Sequence, residues 1–239
     1  MNTHADEPVD HTHSGGENLE VMREAEKYNR FLRDLVRDHA EGAASALDFG
    51  AGIGTFSDSV GLPPGSVHCV EPDAAARRVL AGKGFQVHGD LGDVDDGSVE
   101  YVFSLNVLEH IEDDADALRN LHRVLKPGGR LFLYVPAFNL LFTSMDRHVG
   151  HHRRYRLSGL EPLVRQAGFR IERRAYADAL GFFATLAFKA FDKPEPKPLN
   201  PRLVRLYDRF VFPLSRALSV PLARVLGKNL YIVARRPPR

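Results

Sequence analysis

The chain has 239 residues, 44% of them hydrophobic and 26% charged, with a formal net charge of +1 and a sequence pI near 8.0. Such a length suits one large domain, and the balanced charge gives no global electrostatic reason to expect a nucleic-acid partner. A single cysteine, Cys69, excludes an intramolecular disulfide and fits a reducing compartment, which makes the cytoplasm the expected location.

Residues 1–16 are polar and aperiodic, carry histidines at 4, 11 and 13, and lack the apolar centre of a secretory signal. They are expected to form a disordered, solvated tail. From 17 to about 40, Leu19, Met22, Tyr28, Phe31, Leu32 and Leu35 fall near helical spacing between charges, which predicts an amphipathic helix. A core over 45–176 follows. "SALDFG" and "VHCVEP" are short apolar runs with strand character, and "AAARRVLAGKG" reads as a helix closed by Gly82 or Gly84. "FQVHGD" is a third strand and "SVEYVFSLNVLEHI" carries a fourth. "DDADALRNLHRVLKPGG" predicts a helix stopped by Pro127 and two glycines, and "RLFLYVPA" a fifth strand. A helix from about Leu157 to Ala167 and a sixth strand in "GFRIERRAYAD" complete the alternation, which argues for a parallel sheet covered on both faces. Residues 177–227 break the rhythm: an apolar helix in "GFFATLAFKAF", a proline-rich linker "DKPEPKPLNP", and a helical stretch interrupted at Pro213 and Pro221. "NLYIVARRP" supplies a last strand over 228–236, so 17–239 reads as a single domain with a helical insertion. No apolar run is long enough to span a bilayer.

"LDFGAGIGTF" follows the first strand. Gly50, Gly52 and Gly54 allow positive φ and let backbone approach a ligand at a sheet's carboxyl edge, the usual place for a nucleotide-like molecule. A dinucleotide fingerprint needs its third glycine at 55, where Thr55 stands, so a nicotinamide enzyme is disfavoured. Asp48 ends the first strand, where a carboxylate can meet a positive group. Glu71 ends the second, placed for both hydroxyls of a ribose, and Asp90 ends the third, within reach of an adenine amino group. Three carboxylates at neighbouring strand ends would repel a pyrophosphate and suit a cationic nucleoside.

The run Leu47–Val135 resembles the class I S-adenosylmethionine-dependent methyltransferases, through "LDFGAGIG", "VEP", "GDL", "SLNVLEHI" and "LKPGGRLFLYVP" in that order. The resemblance implies S-adenosylmethionine as cofactor and a Rossmann-like seven-stranded sheet of order 3-2-1-4-5-7-6, with the last strand antiparallel. It implies that Asp48 and the glycine turn hold the methionine part and Glu71 the ribose. Asp90 and Leu91 would flank the adenine, and Leu105, Asn106 and Val107 would line the cofactor beyond strand four. Tyr28 and Pro72 join that set. The sulfonium methyl is already activated, so the protein mainly aligns an acceptor and excludes water.

After strand five comes "MDRHVGHHRRY", Met145–Tyr155, which resembles a "GHxRRY" segment in a subgroup of these enzymes, some of them found with sugar- or lipid-modifying enzymes. Its position beside the cofactor makes it a candidate acceptor wall. His151, a base by its titration range, His152 and Tyr155 are the candidate catalytic residues. Asp146, His148, Arg153 and Arg154 are candidates for binding an acceptor, including an anionic one. The competing expectation is that Asp146 pairs with an arginine, Tyr155 packs, and the segment only orders the loop. Glu109 and His110 resemble part of the metal set of some methyltransferases, yet Asn106 stands where a further glutamate would be, so no metal is expected. The apolar helices of the insertion suit a hydrophobic acceptor pocket, a membrane contact, a dimer face or plain packing on the core. The expected function is methyl transfer to a small-molecule or lipid- or sugar-linked acceptor. The alternative is a cofactor-binding protein of the same fold that does not methylate or catalyses another reaction. A nucleic-acid methyltransferase lacks the basic patches and stacking platforms it would need.

Overall fold

A computed structural model describes residues 21–192 and 200–238. The N-terminal tail, the first turn of the expected first helix and most of the proline-rich linker lie outside the described residues. Helix α1 spans Glu26–His39, followed by β1 (Ala46–Phe49), β2 (Val67–Val70), α2 (Ala74–Gly82), β3 (Gln86–His88) and β4 (Val99–Leu105). Then come α3 (Asp114–Val124), β5 (Leu125–Pro136), the short α4 (Ser144–His148), α5 (Leu157–Gln166) and β6 (Arg170–Ala177). Helices α6 (Ala179–Lys189), α7 (Pro201–Leu206) and α8 (Phe212–Leu222) precede β7 (Asn229–Arg235).

The seven strands form one sheet in the order β3-β2-β1-β4-β5-β7-β6, with β7 antiparallel to both neighbours and the other pairings parallel. Alternate residues of each strand supply the two faces, as the pleat requires. Leu47, Val102, Leu131 and Leu133 pack with Leu118, Leu121, Leu160 and Val164 of α3 and α5. Ala46, Tyr101, Phe103, Phe132 and Tyr134 pack with Leu32 and Val36 of α1. Both faces are covered, which is why these strands read as continuous apolar runs.

Two boundaries differ from the sequence reading. Helix α3 ends at Val124, and β5 begins at Leu125, because Lys126 precedes Pro127 and is steered to extended backbone. The stretch before α8 is a π-turn, Tyr207–Val211, that feeds Pro213 into the first turn of α8. Pro213 has no N–H to give the Arg209 carbonyl; Lys27 Nζ donates to that oxygen instead, at 2.8 Å.

Candidate active site

The end of β1 turns back through Gly50, Gly52 and Gly54, with φ of 78°, 54° and 80°. The Gly50 and Ala51 N–H groups both donate to Val70 O, at 2.9 and 3.2 Å, which ties the turn to the end of β2. A side chain on Gly50 would collide with Val107, whereas one on Gly52 would meet nothing within 4 Å. One glycine therefore permits close packing, and the other leaves an open face where backbone can meet a ligand.

Glu71 stands just past β2. Its carboxylate accepts from the Gly52 N–H at 2.7 Å and the Asp73 N–H at 2.9 Å. With about four lone-pair sites on a carboxylate, roughly two remain for a ribose. Pro72 is exposed beside it, with its carbonyl taken by Arg77. Asp48 is buried and accepts from Ser57 Oγ at 2.7 Å; among the described residues no cation pairs with it. Burial pushes its pKa up to about 7, against the Ser57 bond, with Glu71 adding to the rise. The expected positive partner of Asp48 is thus not a side chain of the described structure. Asp90 caps a short turn after β3, accepting from the Gly92 N–H at 2.7 Å, while Leu91 sits buried in the core. Asn106 adopts φ 55° after β4 and donates its N–H to Tyr134 O at 2.8 Å. That turn carries the chain from half-buried Leu105 to Val107, which closes on Gly50. Tyr28 reaches the same edge from α1, its ring edge-on to Phe212 and its hydroxyl 3.4 Å from that of Tyr134; burial pushes its pKa up. The arrangement fits a nucleoside cofactor: an open glycine face and a carboxylate with acceptor capacity to spare.

The "MDRHVGHHRRY" segment begins as helix α4 and continues as a loop. Asp146 organises it. Its buried carboxylate accepts from the Thr143 N–H at 2.8 Å, Thr143 Oγ1 at 3.0 Å, His151 Nδ1 at 2.8 Å, and Arg154 Nε and Nη2 at 2.8 and 2.9 Å. Burial alone would raise its pKa, but the bonds from His151 and Arg154 override it and hold the carboxyl well below the usual carboxylate range. An ionised carboxylate only accepts, so Asp146 holds a proton on His151 Nδ1 and turns Nε2 away from itself. That nitrogen stands 3.8 Å from Glu109 Oε1.

Glu109 is fully buried, and neither of its carboxyl oxygens has a hydrogen-bond partner. Burial pushes its pKa up to about 8, partly countered by its own backbone N–H, which lies too poorly aligned to count as a full partner, and then by the nearby Arg154 charge. Arg154 Nη1 is buried and unpartnered as well. The His110 ring meets His151 edge to face, centroids 4.5 Å apart, and burial with the His151 neighbour takes its pKa down to about 4. Lys228, which the sequence reading passed over, precedes β7 at the same edge. Enclosure lowers its pKa, against the charge of Asp178, and the charges of Arg154 and Asp146 also reach it.

The other candidates are placed differently. Arg153 donates to Asp114 Oδ2 at 2.9 Å and to Glu112 O at 2.8 Å. Tyr155 is buried, its hydroxyl 2.9 Å from Asp114 Oδ2 and 3.1 Å from Leu108 O. These two residues clamp the loop to α3, apart from the Glu109 oxygens. His148 and His152 are exposed, and the His152 N–H donates to Glu109 O at 2.8 Å. A buried tyrosine and a paired arginine read from sequence just like reactive ones; only their partners, about forty residues away, separate the cases.

Residues 22–173 match the model of a methyltransferase domain family. A methyltransferase of Claviceps purpurea is 34% identical over 218 residues, which cover 84% of this chain and 58% of that protein. A ubiquinone biosynthesis O-methyltransferase of Pseudomonas paraeruginosa is 31% identical over 99 residues, covering 37% of this chain and 43% of the other. The chain thus spans less than two thirds of the length of the curated relatives it matches. Among solved structures, an S-adenosylmethionine-dependent methyltransferase of Thermotoga maritima superposes with a TM-score of 0.60 at 14% identity, covering 93% of this chain and 95% of that one. The glycine turn, the acidic end of β2, the strand order and the matched family model converge: the chain belongs to the class I S-adenosylmethionine-dependent methyltransferases.

Proposed function

We propose that this chain transfers the methyl group of S-adenosylmethionine to a hydroxyl of a small, lipid-linked or sugar-linked acceptor that carries negative charge. The carrying observation is the set of unpartnered buried groups, both Glu109 oxygens and Arg154 Nη1, beside a histidine whose Nε2 is aimed by the Asp146 bond to Nδ1. Buried polar atoms in folded proteins nearly always have partners, so an orphaned cluster at this edge supports a polar ligand there. An oxygen about 2.8 Å from both His151 Nε2 and Glu109 fits the apex of their gap. In that position an acceptor hydroxyl donates to His151. As the sulfonium carbon–sulfur bond breaks and the carbon–oxygen bond forms, the hydroxyl proton passes to Nε2 and the demethylated cofactor leaves. Arg154 and Lys228 favour an acceptor with an anionic group. The Pseudomonas relative's name, an O-methyltransferase, supports oxygen as the methylated atom.

The test uses S-adenosylmethionine labelled in the methyl group, with lipid and small-molecule extracts as acceptor source. Label should enter an extract fraction. His151→Ala should lower that transfer by about 100-fold or more, the usual worth of a general base, while calorimetric cofactor affinity stays unchanged. Wild-type transfer in that variant would remove His151 from the chemistry. Tight cofactor binding with no transfer to any fraction would favour the non-methylating alternative.

A second reading rests on one observation. Glu109, His110 and His151 bring one ligand atom each within 4.8 Å of one another, the spacing of a cation site. One carboxylate with two imidazoles is a poor set for magnesium or calcium and a fair one for zinc.

A further inference from the structure

Among the described residues, every exposed large apolar side chain except Val79 and Leu140 belongs to the segment 183–225. Phe191 and Val220 are 84% and 80% exposed, and Phe183, Phe188, Leu206 and Phe210 are also open to solvent. Leu140 itself borders this surface, since Lys189 Nζ donates to its carbonyl at 2.7 Å. Isolated exposed apolar residues need no explanation, but their concentration in one helical segment does.

The charges on the same segment are one-sided. Arg202, Arg205, Arg209, Arg216 and Arg224 are all exposed; Arg205 is paired with Glu24 from outside the segment, so the excess rests on the other four. The two acids described there are used inward: Asp208 is buried and accepts from the Lys27 and Tyr28 N–H groups at 2.9 and 2.8 Å, and Asp192 accepts from the Ser144 N–H and Oγ at 2.7 and 2.6 Å. Arg209 and Arg216 lie over phenylalanine rings, with 5.4 and 4.9 Å to the centroids of Phe210 and Phe31, so their stems run along apolar surface. The near-neutral charge of the whole chain hides this local excess.

We propose that α6 to α8 form a docking surface for an anionic phospholipid bilayer, with the phenylalanine and aliphatic side chains entering the headgroup boundary and the arginines meeting lipid phosphates. Short helices bearing aromatic and aliphatic residues among arginines are the composition of interfacial binding, and none of the described helices is long and apolar enough to cross a membrane. Charge favours an anionic bilayer over a second copy, since a two-fold contact through this segment would bring its exposed arginines near those of the other copy with few acids to meet them. The surface is continuous with the site. Helix α6 leaves the end of β6, which pairs with the start of β7 at Ala177 and Asn229, and that in turn pairs with the end of β5 at Pro136. A lipid-borne acceptor would reach the carboxyl edge while its tail stays in the bilayer; this link rests on the methyl-transfer reading, whereas the docking does not.

The experiment is vesicle flotation of the full chain, with pure phosphatidylcholine vesicles against vesicles of 70% phosphatidylcholine and 30% phosphatidylglycerol (roughly a cellular anionic fraction). The protein should float with the anionic vesicles at least about tenfold better than with the neutral ones, and less so as salt rises. The paired variants Phe188→Glu/Val220→Glu and Arg202→Glu/Arg224→Glu, all at exposed positions, should each abolish flotation while calorimetric S-adenosylmethionine affinity stays at the wild-type value. No flotation at low salt, or flotation unchanged in both variants, overturns the proposal. So does a concentration-dependent dimer in sedimentation that Phe188→Glu/Val220→Glu dissolves, since the surface would then face a second copy. Flotation without methyl transfer would leave the docking standing and remove the proposed reaction.

Discussion

Replacing Glu109 by glutamine tests whether this buried carboxyl is held as an acid. Its pKa stands at about 8 in the folded chain against 4.5 for an ordinary glutamate. The folded state therefore binds one more proton than the unfolded state between those values, and stability falls as pH rises through the window. Each pH unit in the middle of it costs about 1.4 kcal/mol. Integrated, Glu109 accounts for a loss of about 4 kcal/mol from pH 5 to 9, of which about 1.4 kcal/mol falls between pH 7 and 9. Asp48, at about 7, adds only about 0.4 kcal/mol over that upper range. His110, depressed to about 4, exerts its opposite slope below pH 6.5 and does not interfere. Urea unfolding at pH 7 and pH 9 should thus show the wild type losing about 1.4 kcal/mol more than Glu109→Gln. Glutamine is close in size and removes only the titration. Equal losses in the two proteins would mean that Glu109 is ionised when folded, matched by Arg154 or by a bound cation, and the acid reading would be refuted.

Three further outcomes follow from the site. Gly50→Ala should destabilise the fold by about 1–3 kcal/mol in thermal or urea unfolding, because φ is 78° and the new methyl collides with Val107; adding Val107→Ala should recover only the steric part. Glu71→Ala should weaken S-adenosylmethionine binding by about 1.5–3 kcal/mol in calorimetry, since it removes the proposed ribose acceptor and leaves the Gly52 N–H without its partner; unchanged affinity would misplace the ribose. Chelation followed by dialysis should leave methyl transfer intact, and a loss restored by zinc alone would establish the cation reading of Glu109, His110 and His151.

The fold and the cofactor class were legible in the sequence because the signals that carry them, and the proposed cofactor residues among them, are local. A glycine turn, an acid at the next strand end and the strand–helix rhythm all lie within short windows, and backbone geometry converts them directly into the observed edge. The acceptor half was only partly legible. "GHHRRY" displays five polar or titratable residues in a row, but which are spent on structure depends on distant partners. Arg153 and Tyr155 go to Asp114, Arg154 and His151 to Asp146, and Glu109 is left with none. Lys228 carried only a positional signal: a lysine just before an antiparallel last strand must begin at the carboxyl edge. The exposure of the insertion was illegible for a similar reason. "GFFATLAFKAF" is apolar on most sides, and sequence periodicity does not say which side stays uncovered.

On the proposed reaction, the ordering and chemical readings of the "GHHRRY" loop are one arrangement rather than alternatives. Asp146 holds the loop by caging its own neighbours, and the same bonds orient the histidine through Nδ1 and immobilise Arg154 with Nη1 unused. A base that must meet a hydroxyl at one position gains from this rigidity, since no reorientation remains to be made during transfer. The insertion is fastened to the same edge by a comparable device. Asp178, at φ 60°, accepts from the Gly181 N–H, Tyr207 Oη and Ser215 Oγ, and its carbonyl takes the Lys228 N–H at 3.0 Å. One residue thereby joins the start of α6, the turn before α8, and the lysine at the site. A backbone held in that strained region persists only where its surroundings over-determine it, and here they comprise both ends of the insertion. The surface proposed to meet the membrane is in this way fastened to the groups proposed to meet the acceptor.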